Sequence, residues 1–274
     1  MKYDEIGYWS EVKLDIVREY AAAYSRILAA QRNPSLHHNY LDAFAGAGMH
    51  ISKSTGEFVK GSPMNALLIA PPFKEYHLID LDSKKVGSLR GISAEYPNVT
   101  VHEGDCNKLL LESVFPHAKY SDYRRALCLL DPYGLHLNWE VMQTAGQMKS
   151  VEIFLNFPVA DMNRNVLWRN PEKVDPEQAA RLTVFWGDDS WRQAAYNKTG
   201  NLFGWEEKTE NEDVAEAFRQ RLKKIAGFSY VPEPIPMRNK KGAIVYYLFF
   251  ASQKPAAENI VKDIFQKYRS KGVS

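Results

Sequence analysis

The stretch Ala126-Leu-Cys-Leu-Leu130-Asp131-Pro132-Tyr133-Gly134 decides how the rest of the chain is read. The apolar run reads as a buried strand, and the four residues after it bring a carboxylate, a fixed backbone bend and an aromatic ring into the loop that follows. In open α/β sheets, ligands bind just outside the carboxyl ends of the strands. Asp-Pro-x-Gly also suits a plain type I turn, so the neighbours along the chain must choose between turn and site.

Those neighbours alternate. Residues 10–31 predict a helix capped by Ser10, with Leu14, Val17, Tyr20, Ala21, Tyr24, Ile27 and Leu28 at helical spacing. Short apolar strands follow at Asn39–Phe44, Tyr76–Asp80, Asn98–His102, Ala126–Asp131 and Val151–Asn156. Helical stretches near 62–70, 83–95, 105–115 and 138–148 separate them. Strand–helix alternation predicts a doubly wound, mostly parallel α/β sheet. The end of the chain breaks the rhythm. Phe228–Met237 carries three prolines, which confines any strand there to a sheet edge. The Arg238–Gly242 turn then joins it to the long apolar strand Ala243–Phe250, and so short a connection requires an antiparallel pair.

The 274 residues suit one large domain, 1–274, with an N-terminal helical segment over 1–38 and a helical insertion over 160–212. The insertion holds Trp168, Trp186, Trp191 and Trp205, with a helix expected near 176–186. It reads either as a lid or stacking platform, or as a small core of its own. No apolar run approaches a membrane span, and the first residues lack a signal-peptide segment. Cys106 and Cys128 sit far apart in strand-like surroundings, which fits reduced thiols in a cytoplasmic protein. No Cys/His group has metal-ligand spacing, and His37-His38 reads as a solvated loop pair. The net charge of +2 conceals an uneven distribution: Arg219–Ser274 carries 12 Lys/Arg against 3 Asp/Glu. Such a basic quarter suits either a phosphate backbone or a solvated helix face.

Three further strand ends carry acids. The first strand runs into Asp42-Ala-Phe44-Ala-Gly46-Ala-Gly48, where glycines let a ligand approach the backbone. Ile51 stands where a dinucleotide fingerprint needs a third glycine, which disfavours NAD. The second ends in Asp80-Leu-Asp82-Ser83. Asp82 or Ser83 can cap the next helix, leaving Asp80 to accept both hydroxyls of a ribose. The third ends in Asp105-Cys106, where the acid suits either an N-cap or an adenine amino group.

Together these acids resemble the S-adenosylmethionine site of class I methyltransferases. That resemblance implies a seven-stranded, Rossmann-like sheet of order 3-2-1-4-5-7-6. It also implies cofactor contacts from Asp42 near the methionine amine, Phe44, Gly46, Gly48, Asp80 at the ribose, and Asp105 with Cys106 at the adenine. Asp131 would face the methyl group. Tyr40–Gly48, Gly61-Ser-Pro63, Leu130–Gly134, Leu155-Asn-Phe-Pro158, Arg164 and Tyr246–Ser252 resemble the three-Cys-motif partner family (TcmP). What this second resemblance implies is association with a three-cysteine, radical-SAM-like protein, with or without methylation.

Asp131-Pro132-Tyr133 also resembles the D/N-P-P-Y signature of amino-group methyltransferases, with one proline fewer. In that reading, Asp131 and the Pro132 carbonyl accept from an exocyclic amine of nucleic acid, adenine's being the first candidate, and Tyr133 stacks on the base. Gly134, Asn156 and Arg164 would contact substrate, with an ordinary surface ion pair as the alternative for Arg164. Gly61-Ser62-Pro63 reads as a helix start with Ser62 as N-cap and Pro63 at the first helical position. The sequence assigns no role to Lys13 or Lys60.

Overall fold

A computed structural model describes residues 3–33, 35–197, 207–239 and 241–271. Its main sheet has seven strands: β1 (His37–Asp42), β2 (Glu75–Asp80), β3 (Val99–Glu103), β4 (Arg124–Leu130), β5 (Val151–Phe157), β6 (Ile235–Arg238) and β7 (Ile244–Ala251). Their spatial order is 3-2-1-4-5-7-6. The first five are parallel, and β7 runs antiparallel to both β5 and β6. This is the α/β architecture of class I methyltransferases, with the antiparallel hairpin at the C-terminal end. β6 is the edge strand, as its prolines require.

The sheet is buried on both faces, and its side chains alternate between two apolar layers. From β4, Ala126, Cys128 and Leu130 enter one layer, and Leu127 and Leu129 enter the other. The second layer is closed by α1 (Tyr8–Ala29), α2 (Ser62–Leu67), α3 (Ser83–Ser93) and α10 (Pro255–Lys271). The first is closed by α5 (Trp139–Met148), α7 (Pro176–Trp186), α8 (Trp191–Ala195) and α9 (Asn211–Lys224). Phe218 of α9 sits at its centre, 4.6 Å from Phe157 and 5.2 Å from Trp186 between ring centroids.

Several sequence expectations need correction. The first strand begins and ends two residues earlier than the apolar run suggested, because the chain leaves the sheet at Asp42 to form the glycine loop. His38 is therefore no solvated loop residue. It lies buried in β1, 2.9 Å from the Ser25 hydroxyl, and burial pushes its pKa down to about 4. Gly7 replaces Ser10 as the N-cap of α1, and Gly61 replaces Ser62 at α2, so Ser62 and Pro63 become the first two helical residues. The helix expected over 105–115 is α4 (Cys106–Leu109), continued by a π turn at Leu110–Val114 and a 3₁₀ turn at Phe115–Ala118.

In the insertion, which opens with α6 (Val159–Asn165), α7 forms where its spacing placed it. Trp186 and Trp191 are each 2% exposed and join the main core, not a satellite one, whereas Trp168 is half-exposed. Trp205 lies outside the described residues. A small sheet was not anticipated: Glu5–Ile6 pairs with Met49–Ser52, which pairs with Phe58–Lys60. Among the described residues, no helix is long and apolar enough to cross a membrane.

Candidate functional site

The carboxyl ends of β1 to β5 open onto two adjoining cavities. The larger, about 740 Å³, is lined by the ends of β2 and β3, by the loop after β4 and by one face of α7. The smaller, about 440 Å³, is lined by the glycine loop, Asp131 and Pro132, the N-terminal segment, α1 and β7. Phe44 and Tyr133 belong to both walls.

The glycine loop is held from below. Asp42 is fully buried and lines neither cavity. Its carboxylate accepts the Phe44 N–H at 3.3 Å and the Tyr40 hydroxyl at 3.4 Å. Burial raises its pKa to about 7, against the pull of those hydrogen bonds. Gly48 adopts a left-handed φ of +82°, and a Cβ there would stand 2.3 Å from Ile92. Its part is to let α3 close on the loop.

Asp80 joins loop and cavity. One carboxylate oxygen accepts the Gly46 N–H at 2.8 Å, and the other accepts the Asp82 N–H at 2.9 Å. A carboxylate offers about four lone-pair sites, so capacity remains toward the larger cavity. Asp82 caps α3 through the Lys84 and Lys85 N–H groups, as its sequence position allowed. Asp105 caps α4 through the Asn107 N–H and also lines the cavity. Cys106 beside it is buried, and burial pushes its thiol up to about 12. Asn107 ties this corner together: its amide donates to the His136 carbonyl at 3.1 Å and accepts the Asn138 N–H at 2.8 Å. Around the mouth, Leu81, Tyr133 and Val184 are 75%, 65% and 51% exposed. Apolar side chains gathered around a cavity of ligand size are a feature that small-molecule sites share.

The smaller cavity is built from distant parts of the chain. Asp131 Oδ2 accepts from Lys13 Nζ, an ion pair linking the end of β4 to α1. Lys13 is 8% exposed. Burial disfavours its charge, but the neighbouring Asp131 carboxylate outweighs that and raises its pKa. Asp131 Oδ1 has no hydrogen-bond partner among the described residues. Two buried polar atoms lack partners here among the described residues: Oδ1 of Asn156 and Nδ1 of His50, both from residues that line the cavity. Unpaired buried polar atoms are costly unless something donates or accepts at them. At the rim, Asp4 accepts from Lys85 at 2.7 Å and from the Tyr133 hydroxyl at 3.4 Å, and Lys85 lies 5.4 Å from the Tyr133 ring centroid.

The loop Asp131–Gly134 bends without the hydrogen bond of a β-turn. Gly134 has a φ of +60°, and a Cβ there would meet the Asp161 carboxylate of α6 at 2.8 Å. Of the residues singled out in the sequence, Phe44, Gly46, Asp131, Pro132, Tyr133 and Asn156 meet at the smaller cavity, and Phe44, Asp80, Asp105, Cys106 and Tyr133 at the larger. Asp42, Gly48, Gly134 and Arg164 line neither. Lys13, His50 and Tyr246 had no role assigned from the sequence. Lys13 did leave a signal there, as a charge at i of the apolar i, i+3, i+4, i+7 stripe completed by Ile16, Val17 and Tyr20.

No family model matches the chain, and no curated protein does. Among solved structures, protein LPL1258 from Legionella pneumophila, assigned to family DUF519, superposes with a TM-score of 0.53 at 13% identity, covering 93% of this chain and 92% of that one. The DszA carbon methyltransferase gives 0.46 at 14% identity, over 88% of this chain and 54% of its own. The bifunctional kinase-methyltransferase WbdD gives 0.43 at 11% identity, over 88% and 39%. The likeness to the Legionella protein extends over nearly the whole length of both chains and shows that the two share a fold, while the strand order 3-2-1-4-5-7-6 is the one expected of a class I methyltransferase-like sheet.

Proposed function

We propose that the protein is an S-adenosylmethionine-dependent methyltransferase that methylates an amino group, with a nucleic-acid base as acceptor. The observation that carries this reading is the position of Asp131. It lines the smaller cavity beside Tyr133, the ring shared with the larger one, and its Oδ1 has no partner among the described residues.

The residues present fit the cofactor. The larger cavity offers apolar walls for adenine, the remaining lone pairs of Asp80 for the ribose, and Asp105 for the adenine amine. When bound, S-adenosylmethionine supplies an electrophilic methyl group. In the smaller cavity, which both residues line, Asp131 Oδ1 and Asn156 Oδ1 would accept hydrogen bonds from the two N–H groups of an amine, which turns its lone pair away from them. Lys13 occupies Oδ2 of Asp131, which leaves Oδ1 as the acceptor. Asp131 then takes the proton that the nitrogen sheds once methylated. Positioning is the main source of acceleration in such a site.

Transfer of a labelled methyl group from S-adenosylmethionine to single-stranded DNA or RNA tests the reading, with Asp131→Ala expected to lower it at least about a hundredfold. Transfer unaffected by that change would overturn the reading. The Lys13–Asp131 pair also favours a second reading, because a carboxylate already engaged by a buried ammonium suits a fold kept for binding. The protein would then be a non-catalytic partner of a three-cysteine, radical-SAM-like protein. Cofactor binding without transfer, together with co-purification of such a protein, is the result that distinguishes it.

A further inference from the structure

A third cavity, about 840 Å³, adjoins the smaller one and shares Gly7, Ser10, Lys53 and Tyr246 with it. It runs between the start of α1 and the β6–β7 hairpin. No aspartate or glutamate lines it among the described residues. Its cations are Lys53, Arg238 and Lys241, all exposed and, among the described residues, without a carboxylate partner. Other cations of the basic C-terminal quarter do have one: Arg219 pairs with Glu216, Arg221 with Asp188, Lys262 with Glu258 and Lys267 with Glu19. Tyr8 is 48% exposed on the same wall, edge-to-face with Trp9 at 5.5 Å.

We propose that this groove carries a single-stranded nucleic acid. Lys53, Arg238 and Lys241 meet the phosphates, Tyr8 and Trp9 stack on bases, and one unstacked base turns into the cavity of Asp131. The inference rests on the methyl-transfer reading for the fate of that base, but not for the binding itself. Cations without acids, interleaved with accessible rings, are the chemistry that holds unpaired strands independently of sequence. A duplex keeps its bases stacked and cannot present one to a recessed carboxylate without unpairing it.

Fluorescence anisotropy with labelled DNA and RNA oligonucleotides, each single-stranded and as a blunt duplex, tests this on the full-length protein. Both single strands are expected to bind more tightly than their duplexes, with affinity falling as salt rises. Equal affinity for the DNA and RNA strands means that phosphates and base faces hold them, and a preference for RNA brings in the 2′-hydroxyl. Replacing Arg238 and Lys241 together by alanine should reduce the slope of log affinity against log salt by about 1.4, roughly 0.7 for each phosphate left without its cation. Tyr8→Ala should weaken single-strand binding at least about fivefold without moving the salt slope. Equal binding of duplex and single strand, or a salt slope unchanged in the double variant, would overturn the groove. Calorimetry with S-adenosylmethionine separates the two readings. Strand binding without cofactor binding leaves the groove standing and removes the methyltransferase, and the converse removes the groove alone.

Discussion

The two cavities that meet at Phe44 and Tyr133 are made in opposite ways. The acids of the larger are set locally: Asp80 closes β2, Asp105 and Cys106 follow β3 within three residues, and backbone N–H groups within two residues hold both Asp82 and Asp105 in place, with α7 adding one wall. The smaller is assembled across the chain, from Asp4, Lys13, His50, Asp131, Asn156 and Tyr246. Its central ion pair joins residues 118 positions apart. Motif and turn chemistry can write the first kind of site into a short stretch. The second kind exists only once the helices have packed, so changes there should disturb fold and function together.

The largest effect should come from Asp131→Ala. It leaves the Lys13 ammonium buried without its partner, which costs about 3 kcal/mol or more where such pairs are enclosed. A melting temperature lower by about 6–12 °C is expected, together with the loss of transfer described above. Lys13→Met should cost less, because Asp131 can still reach water. If the two changes destabilise equally, the ion pair is not the organising contact of the smaller cavity.

Asp80→Ala should come next. It removes the acceptor of the Gly46 and Asp82 N–H groups and the diol contact at once. Calorimetry should show S-adenosylmethionine bound about 10 to 100 times more weakly, since each charged hydrogen bond is worth about 1.5–3 kcal/mol. An unchanged affinity would empty the larger cavity of its proposed adenosine.

A smaller effect is expected from Asp42→Asn, and its sign depends on pH. Asp42 has its pKa raised to about 7 in the folded protein, against about 3.9 unfolded. Between those values the folded state binds more protons, so Asp42's contribution to stability declines as pH rises from about 4 to 7. Asparagine cannot ionise, so the variant should melt higher than the parent at pH 8 and lose that advantage at pH 4. A melting advantage that is the same at both pH values would show that Asp42 is not protonation-coupled.

The mildest test concerns the thiols. Cys106 and Cys128 are buried, and burial raises both pKa values. Alkylation at pH 8 should be negligible in the native protein and complete after denaturation. If saturating S-adenosylmethionine changes Cys106 labelling under partly destabilising conditions but leaves Cys128 labelling alone, the cofactor belongs in the larger cavity.

How much the sequence revealed follows the same division. Parallel strands, the hairpin with its proline-bearing edge, and acids at strand ends have local signatures, and the structure places them within about two residues of expectation. His38 escaped because a polar pair at the start of β1 gives no apolar signal, although Ser25 satisfies it in the core. The small sheet formed by Glu5–Ile6, Met49–Ser52 and Phe58–Lys60 escaped because strands of two to four residues are too short to establish a periodicity. Lys13 was visible as an ill-placed charge on an apolar helix face, but nothing in sequence could name Asp131 as its counter-ion.

Tyr133 has a consequence of its own. Its ring faces both cavities, and its hydroxyl is tethered to the Asp4–Lys85 pair. A guest that moves the ring on one side reshapes the wall met by a guest on the other. Equilibrium then demands reciprocity: whatever factor the first ligand imposes on the second, the second returns to the first. Two titrations, each run with and without the other ligand, would give the same ratio. In Tyr133→Ala that ratio should fall toward one, even if neither affinity alone collapses.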